Sequence, residues 1–207
     1  MNKVEVRNTI YTGLGKLLPD FRLSKSEGAF VRKIPAGLQK FFVPLVDYNP
    51  EYVFSLTVGI RIDAVEEIFN RVSGADHKGQ QLTLTSITQL AHFTGGNRKD
   101  YRVSTSADID AALSELSGVI EQEIMPFLHK YQDVRSLDSA INSERQSTFD
   151  SSILVSHAMH SIILARLAGN GLYADLVMVF EKQLERFPPF DRERFERLVS
   201  ILNNLTL

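Results

Sequence analysis

The chain contains no cysteine. That excludes disulfide staples, thiolate nucleophiles and cysteine-ligated metals, and it fits a reducing compartment. No apolar run approaches the roughly 18 residues of a membrane span, and the opening MNKVEVRNTIYTG lacks the apolar core of a signal peptide. The expectation is therefore a cytoplasmic protein with no membrane partner. Charge of one sign is not in excess either, with a net of −2 and 23% charged residues, so bulk charge points neither to disorder nor to nucleic acid. Its distribution is uneven: Met1 to Arg61 holds nine Lys/Arg against five Asp/Glu, and the remainder fourteen against twenty. The catalytic signatures are missing as well. There is no G-x-S-x-G elbow, no S-x-x-K, no P-loop and no dinucleotide fingerprint, and no second copy of any helical segment to suggest a solenoid.

What the chain does have, within 207 residues of 43% hydrophobic content, is enough apolar material for a sizeable core. Its plainest statement is Glu51 to Ile62. Tyr52, Phe54, Leu56, Val58, Ile60 and Ile62 fall at every second position, the period of a strand with one buried face. Val53, Ser55, Thr57, Gly59 and Arg61 alternate with them and suit a face left for water or a partner. Ahead of this strand, Val4, Ile10, Tyr11, Leu14, Leu17 and Leu18 predict a helix ending before Pro19. Phe21 to Leu23 and Ala29 to Ile34 predict a hairpin, and LQKFFVPLVDY a strand that Pro44 confines to an edge or a bulge.

Beyond it, Asp63 and Glu66 suggest a capping box for a helix with Val65, Ile68, Phe69 and Val72 inside, ending at Ser73-Gly74. GADHKG reads as a loop. Gln80 to Phe93 reads as β with a break near Thr85-Ser86, and Tyr101 to Val103 as a returning strand. Thr105 and Asp108 form a second capping box for a long helix, Ile109 to Tyr131, which Pro126 should kink or shorten. Gln132 to Phe149 reads as a connector with at most one short helix. Three helices follow: Ser151 to Ala168, a second ended by Pro188-Pro189, and a third with Phe190 and Phe195 as a hydrophobic staple. The expected fold is α+β: an antiparallel meander of five or six strands packed by helices in residues 1–147, and a C-terminal three-helix lobe in residues 148–207 packed on it as one folding unit.

Several groups could carry chemistry. His157 and His160 stand three apart, which puts both imidazoles on one helix face, the arrangement a metal-assisted hydrolase would use. Their neighbours Leu154, Val155, Ala158, Met159 and Ile162 are those of a packing helix, so core histidines are the stronger expectation, with no metal and no cofactor. His77 and His92 fall in or near loops. Glu66-Glu67 is accounted for by the helix macrodipole, and Gly95-Gly96-Asn97-Arg98-Lys99 by a hairpin turn rather than a phosphate cradle. Nucleic-acid binding would use Arg22, Lys25, Arg32, Lys33, Lys40 and Arg61 with Tyr48 or Phe42 as stacking groups. Arg32 and Lys33 point to opposite faces of one strand, which breaks that patch.

One resemblance is carried by FRLSKSEGAFVRKI with its Phe30-x-Arg32 pair, by LQKFFVPLVDYNPEYVFSLTVGIRI, and by a long helix closing on IMPFLHKY. Gln39, Phe54, Leu56, Val58, Gly59 and Ile60 match its strand pattern. Over about residues 5–140 the chain resembles a family of uncharacterised bacterial domains of unknown function, some of them suspected immunity or antitoxin-like proteins. The resemblance implies a non-catalytic role and brings no catalytic residues. Together these readings point to a protein that binds another protein, with Arg32, Lys40, Ser55, Thr57 and Arg61 as the candidate binding residues.

Overall fold

The computed structural model describes residues 1–96, 99–143 and 151–206. They fold into two compact units, Met1–Ile60 with Ser86–Lys130 and Arg61–Thr85 with Tyr131–Leu207. The architecture is α+β with an antiparallel five-stranded sheet, a smaller sheet and C-terminal helices. No helix among the described residues is long and apolar enough to cross a membrane.

The first unit opens with α1 (Lys3–Leu17), started by Asn2, whose side chain accepts from the Val4 and Glu5 amides while Glu5 reaches back to the Asn2 amide. This reciprocal cap satisfies donors the helix leaves open. Val6, Ile10 and Leu14 are the buried stripe, so Val4, expected inside, is exposed. Gly13 has a packing reason: a β-carbon there would collide with Leu113. Three strands follow, β1 (Arg22–Ser24), β2 (Ala29–Ile34) and β3 (Gly37–Phe42), in antiparallel register with Phe30 opposite both Leu23 and Phe41. Pro44 ends β3 outright, and β4 (Leu45–Tyr48) starts a new pairing with β5 (Glu51–Phe54).

The predicted strand Glu51 to Ile62 is divided at Ser55-Leu56 into β5 and β6 (Thr57–Ile62). After β6 the unit adds β7 (Ser86–Gln89) and β8 (Tyr101–Val103), giving a five-stranded sheet β1-β2-β3-β6-β7 and a three-stranded sheet β4-β5-β8. Burial ignores the division: Tyr52, Phe54, Leu56, Val58, Ile60 and Ile62 are all buried. The side-chain phase therefore runs straight through while the hydrogen-bond partners change.

Between β6 and β7 the chain makes α2 (Asp63–Ser73) and α3 (His77–Leu82), both in the second unit. α2 ends on Gly74 at φ 73°, as expected of a left-handed cap. Its start differs from expectation. Asp63 does not cap it but pairs with Arg61 at 2.8 Å, and Glu66 turns inward. GADHKG is not a loop throughout, because Asp76 accepts from the Gly79 amide and starts α3, which takes Gln80 to Leu82 out of the expected strand. The short helix α4 (Leu90–Phe93) follows β7, and α5 (Ser106–Val119) starts on the Thr105/Asp108 box as expected. A π-helical turn, Ile120–Ile124, then leads into α6 (Met125–Lys130). Pro126 lacks an N–H and would crowd the carbonyl four residues back. The wider turn just before it lets the helix continue.

In the second unit, α7 (Val134–Ser143) packs on α8 (Ser151–Ala168), and α8 also packs on α2, on α9 (Tyr173–Leu184) and on α10 (Pro189–Asn203). Ala158, Met159, Ile162, Ile163, Leu164 and Ala165 are completely buried, as an all-round apolar helix requires. The α7–α8 seam holds a polar chain. Asn142 donates to Asp138 at 2.6 Å and to the Ser161 carbonyl at 3.0 Å, Ser161 donates back to Asn142, and Asn170 donates to Asp138 at 2.9 Å. The expected staple at the start of α10 does not form: Phe190 is exposed, under the Arg194 guanidinium. The end of the expected connector and the boundary at 147 lie outside the described residues.

Candidate binding surface

The long cations expected at a binding face are occupied inside the fold. Arg32 on β2 donates twice to Gln39 Oε1, at 3.0 and 2.6 Å, lies over the Phe21 ring at 4.7 Å, and leaves 14% of its side chain exposed. Burial lowers its pKa, with Asp20 opposing. Gln39 in turn donates to the Leu128 carbonyl at 2.7 Å, so the pair ties the hairpin to the C-terminal end of α6. Lys40, 3% exposed, is paired with Glu27 at 2.5 Å. Arg61, at the junction into the second unit, is 13% exposed. It donates to Asp63 and to the Gln80 and Thr83 carbonyls, holding the α3 end. These three are structural cations, and a phosphate or partner would have to displace internal acceptors to reach them.

Ser55 and Thr57 are placed differently. The division of the strand leaves them in the wall of a polar hollow in the first unit, with Gln89, Leu90, Lys99 and Asp100 also lining it. The Leu90 amide donates to the Leu56 carbonyl at 3.1 Å, which fixes β7 against β6 there. Gly95 and Gly96, at φ 73° and 88°, close α4 through the Gly96 amide on the Ala91 carbonyl rather than making a hairpin turn. Asn97 and Arg98 lie outside the described residues, and Lys99 is paired with Glu115.

An apolar surface not among the candidate binding residues is on the three-stranded sheet. Its inner face carries Tyr52, Phe54, Tyr101 and Val103, all buried. On its outer face the register sets Val46 beside Val53 beside Arg102, and Tyr48 beside Glu51. Val46 is 46% and Tyr48 63% exposed. Glu51 and Arg102 pair at 3.1 Å across this face, giving a small apolar and aromatic patch a charged rim. Val53 on the alternating outer face and Tyr48 as an aromatic are marked in the sequence; that Val46 joins them follows only from the register.

His157 and His160 fall in the second unit. His160 Nε2 stands 3.1 Å from Glu66 Oε1, without the alignment of a hydrogen bond, and its ring stacks on Phe69 at 4.2 Å. Glu66 is fully buried. Its Oε1 also accepts from Thr85 at 2.7 Å, while Oε2 has no hydrogen-bond partner among the described residues. Burial alone would raise the Glu66 pKa; His160, with the Thr83 and Thr85 hydroxyls, outweighs it and holds the carboxyl low. His157 is pushed down to about 4, by burial first and by the charge of His160 second. The macrodipole account of Glu66 therefore misses its partner, which stands 94 positions away in the sequence. His77 contacts Gln81 at 3.3 Å, and His92 rests edge-on against Phe93 and Phe127. No three His, Cys, Asp or Glu gather as a metal site among the described residues. Compared with known proteins, the chain matches no family model, no curated protein and no solved structure.

Proposed function

We propose that this chain is a non-enzymatic protein-binding factor, of an immunity or accessory kind, whose partner seats on the outer face of the three-stranded sheet. The observation that carries this is the Val46–Tyr48–Val53 patch, apolar at its centre with the Glu51–Arg102 pair at its rim. An apolar centre with an aromatic anchor inside a polar rim is the anatomy of a protein interface. The internal engagement of Arg32, Lys40 and Arg61 supports a partner recognised by shape and apolar area over one recognised by phosphate charge. The resemblance of residues 5–140 to suspected immunity-like domains favours the same role.

The test is quantitative capture from native lysate on immobilised wild-type chain and on Tyr48→Ala. Truncating an aromatic anchor costs about 2 kcal/mol or more, so the partner retained by the wild type should elute from the variant at least about 30-fold more easily. Equal retention on both proteins, with both folded by circular dichroism, refutes the assignment of this surface.

A further inference from the structure

We infer that the free edge of the five-stranded sheet, β7, is a self-association surface that takes a second copy of this chain in antiparallel register about a dyad through Thr88. The proposal concerns a different sheet from the partner surface and does not depend on it. β7 is an end strand of its sheet. Because the Leu90 amide bonds to the Leu56 carbonyl just ahead of β6, alternation points the main-chain groups of Thr88 toward β6 and leaves those of Ile87 and Gln89 facing outward. Ile87 is 64% exposed and sits opposite Gly59, which has no side chain to cover it.

Edge strands are normally guarded by charge, proline or brevity. Among the described strands the other ends are guarded: β1 has three residues and carries Arg22, β8 has three and carries Arg102, and β4 carries Asp47 and is preceded by Pro44. β7, Ser-Ile-Thr-Gln, has neither charge nor proline. The difference matters for self-pairing. A dyad perpendicular to the sheet keeps each side chain on its own face. On β4 it would oppose either Asp47 to Asp47, two like charges, or Pro44 to Tyr48, with no proline donor. On β7 a dyad at Thr88 opposes Ile87 to Gln89 of the second copy. The four outward amides and carbonyls of each strand then meet a partner without an unpaired charge, and the two Ile87 side chains become diagonal neighbours. Two five-stranded sheets join into one. A four-residue edge buries far less than the roughly 1,200 Å² of a stable interface, so the dimer is weak and concentration-dependent.

The absence of cysteine makes a clean test possible. A pair on the dyad that does not share hydrogen bonds has Cα atoms about 4.5 Å apart, within disulfide reach. The full chain carrying Thr88→Cys should therefore form a covalent dimer under mild oxidation at high protein concentration. Ser86→Cys, which this register holds about 14 Å from its copy, should stay monomeric, and adding Ile87→Lys to Thr88→Cys should abolish the dimer. Sedimentation of the wild type should show average mass rising with concentration. Constant monomer mass up to about 1 mM, or crosslinking of Ser86→Cys as fast as Thr88→Cys, overturns the proposal. Neither result touches the Tyr48 assay.

Discussion

Replacing Glu66 by Gln should weaken the second unit well beyond what a surface carboxylate would. The side chain is fully buried, and its Oε1 faces His160 at 3.1 Å and the Thr85 hydroxyl at 2.7 Å. Gln keeps the volume and an acceptor for Thr85 but removes the charge facing His160. Leaving a buried polar group without its partner costs about 1–3 kcal/mol. Glu66→Leu should cost about 1–3 kcal/mol more, since the Thr85 hydroxyl loses its acceptor as well. The double variant Glu66→Leu/His160→Leu removes both partners of the contact at once and should cost less than the sum of its singles by at least about 1 kcal/mol. Urea denaturation of the full chain at pH 7 measures all of these. Glu66→Gln within about 0.5 kcal/mol of wild type, or strict additivity in the cycle, would refute the pairing.

The same cluster sets a pH dependence whose sign follows from the direction of each shift. His157 is held at about 4 in the fold against 6.5 unfolded, so the unfolded chain binds its proton first as pH falls. Stability from this group is whole above pH 6.5 and declines down to about 4, by about 3 kcal/mol in all at 1.36 kcal/mol per pH unit. Glu66, held low, contributes above its unfolded value of 4.5 and loses that contribution as pH falls further. Between pH 7 and 5 the wild type should lose about 2 kcal/mol through His157, and a His157→Gln protein should be nearly flat over that interval.

Three further outcomes follow from single contacts. Gly13→Ala sets a methyl against the movable end of the half-buried Leu113 side chain while gaining about 1 kcal/mol of helix propensity, so its net effect should stay within about 1 kcal/mol; a loss above about 2 kcal/mol in urea would mean that Leu113 cannot turn aside. Leu56→Asp buries an unpaired carboxylate at a position 1% exposed and should abolish cooperative folding, so a soluble variant with a sharp thermal transition would contradict the burial of that strand. Arg32→Lys loses the fork on Gln39 and the stack on Phe21 and should cost about 1–2 kcal/mol; full retention of the urea midpoint would return Arg32 to the candidate surface residues.

Much of this fold is legible where a local rule decides the outcome. The alternation from Tyr52 to Ile62 gives the buried face residue by residue, the Thr105/Asp108 box starts its helix, and Gly74 and Gly169 sit in left-handed caps at the ends of theirs. Each depends on neighbours within four positions. What was not legible depends on distant ones. Side-chain period carries no information about which strand lies alongside, so the passage of one alternating run from the three-stranded to the five-stranded sheet leaves no trace in its own residues. Likewise Arg32, Lys40 and Arg61 read as candidate binding residues until Gln39, Glu27 and the Thr83 carbonyl are brought to them. Glu66 is marked only by its place beside the stripe of Val65, Ile68 and Phe69, and its meaning comes from α8.

The division at Ser55-Leu56 has a physical consequence for both proposed surfaces. A single long strand would have kept Val53, Thr57 and Gly59 on one continuous face, with one pair of edges to protect. Changing partners at that point creates a second sheet and hence two more edges, each a row of unpaired amides and carbonyls that must be guarded or used. On the three-stranded sheet the guards are in place, Asp47 and Pro44 on one edge and Arg102 on the other, so edge pairing is suppressed and the apolar residues remaining there, Val46 and Tyr48, are available only through the face. On the five-stranded sheet β1 is charged whereas β7 is not, and its exposed Ile87 stands next to a bare Gly59. The two sheets thus differ in how they can be approached, face-on at Tyr48 and edge-on at Thr88. A partner at the first surface and a second copy at the second make no competing demand on the same residues.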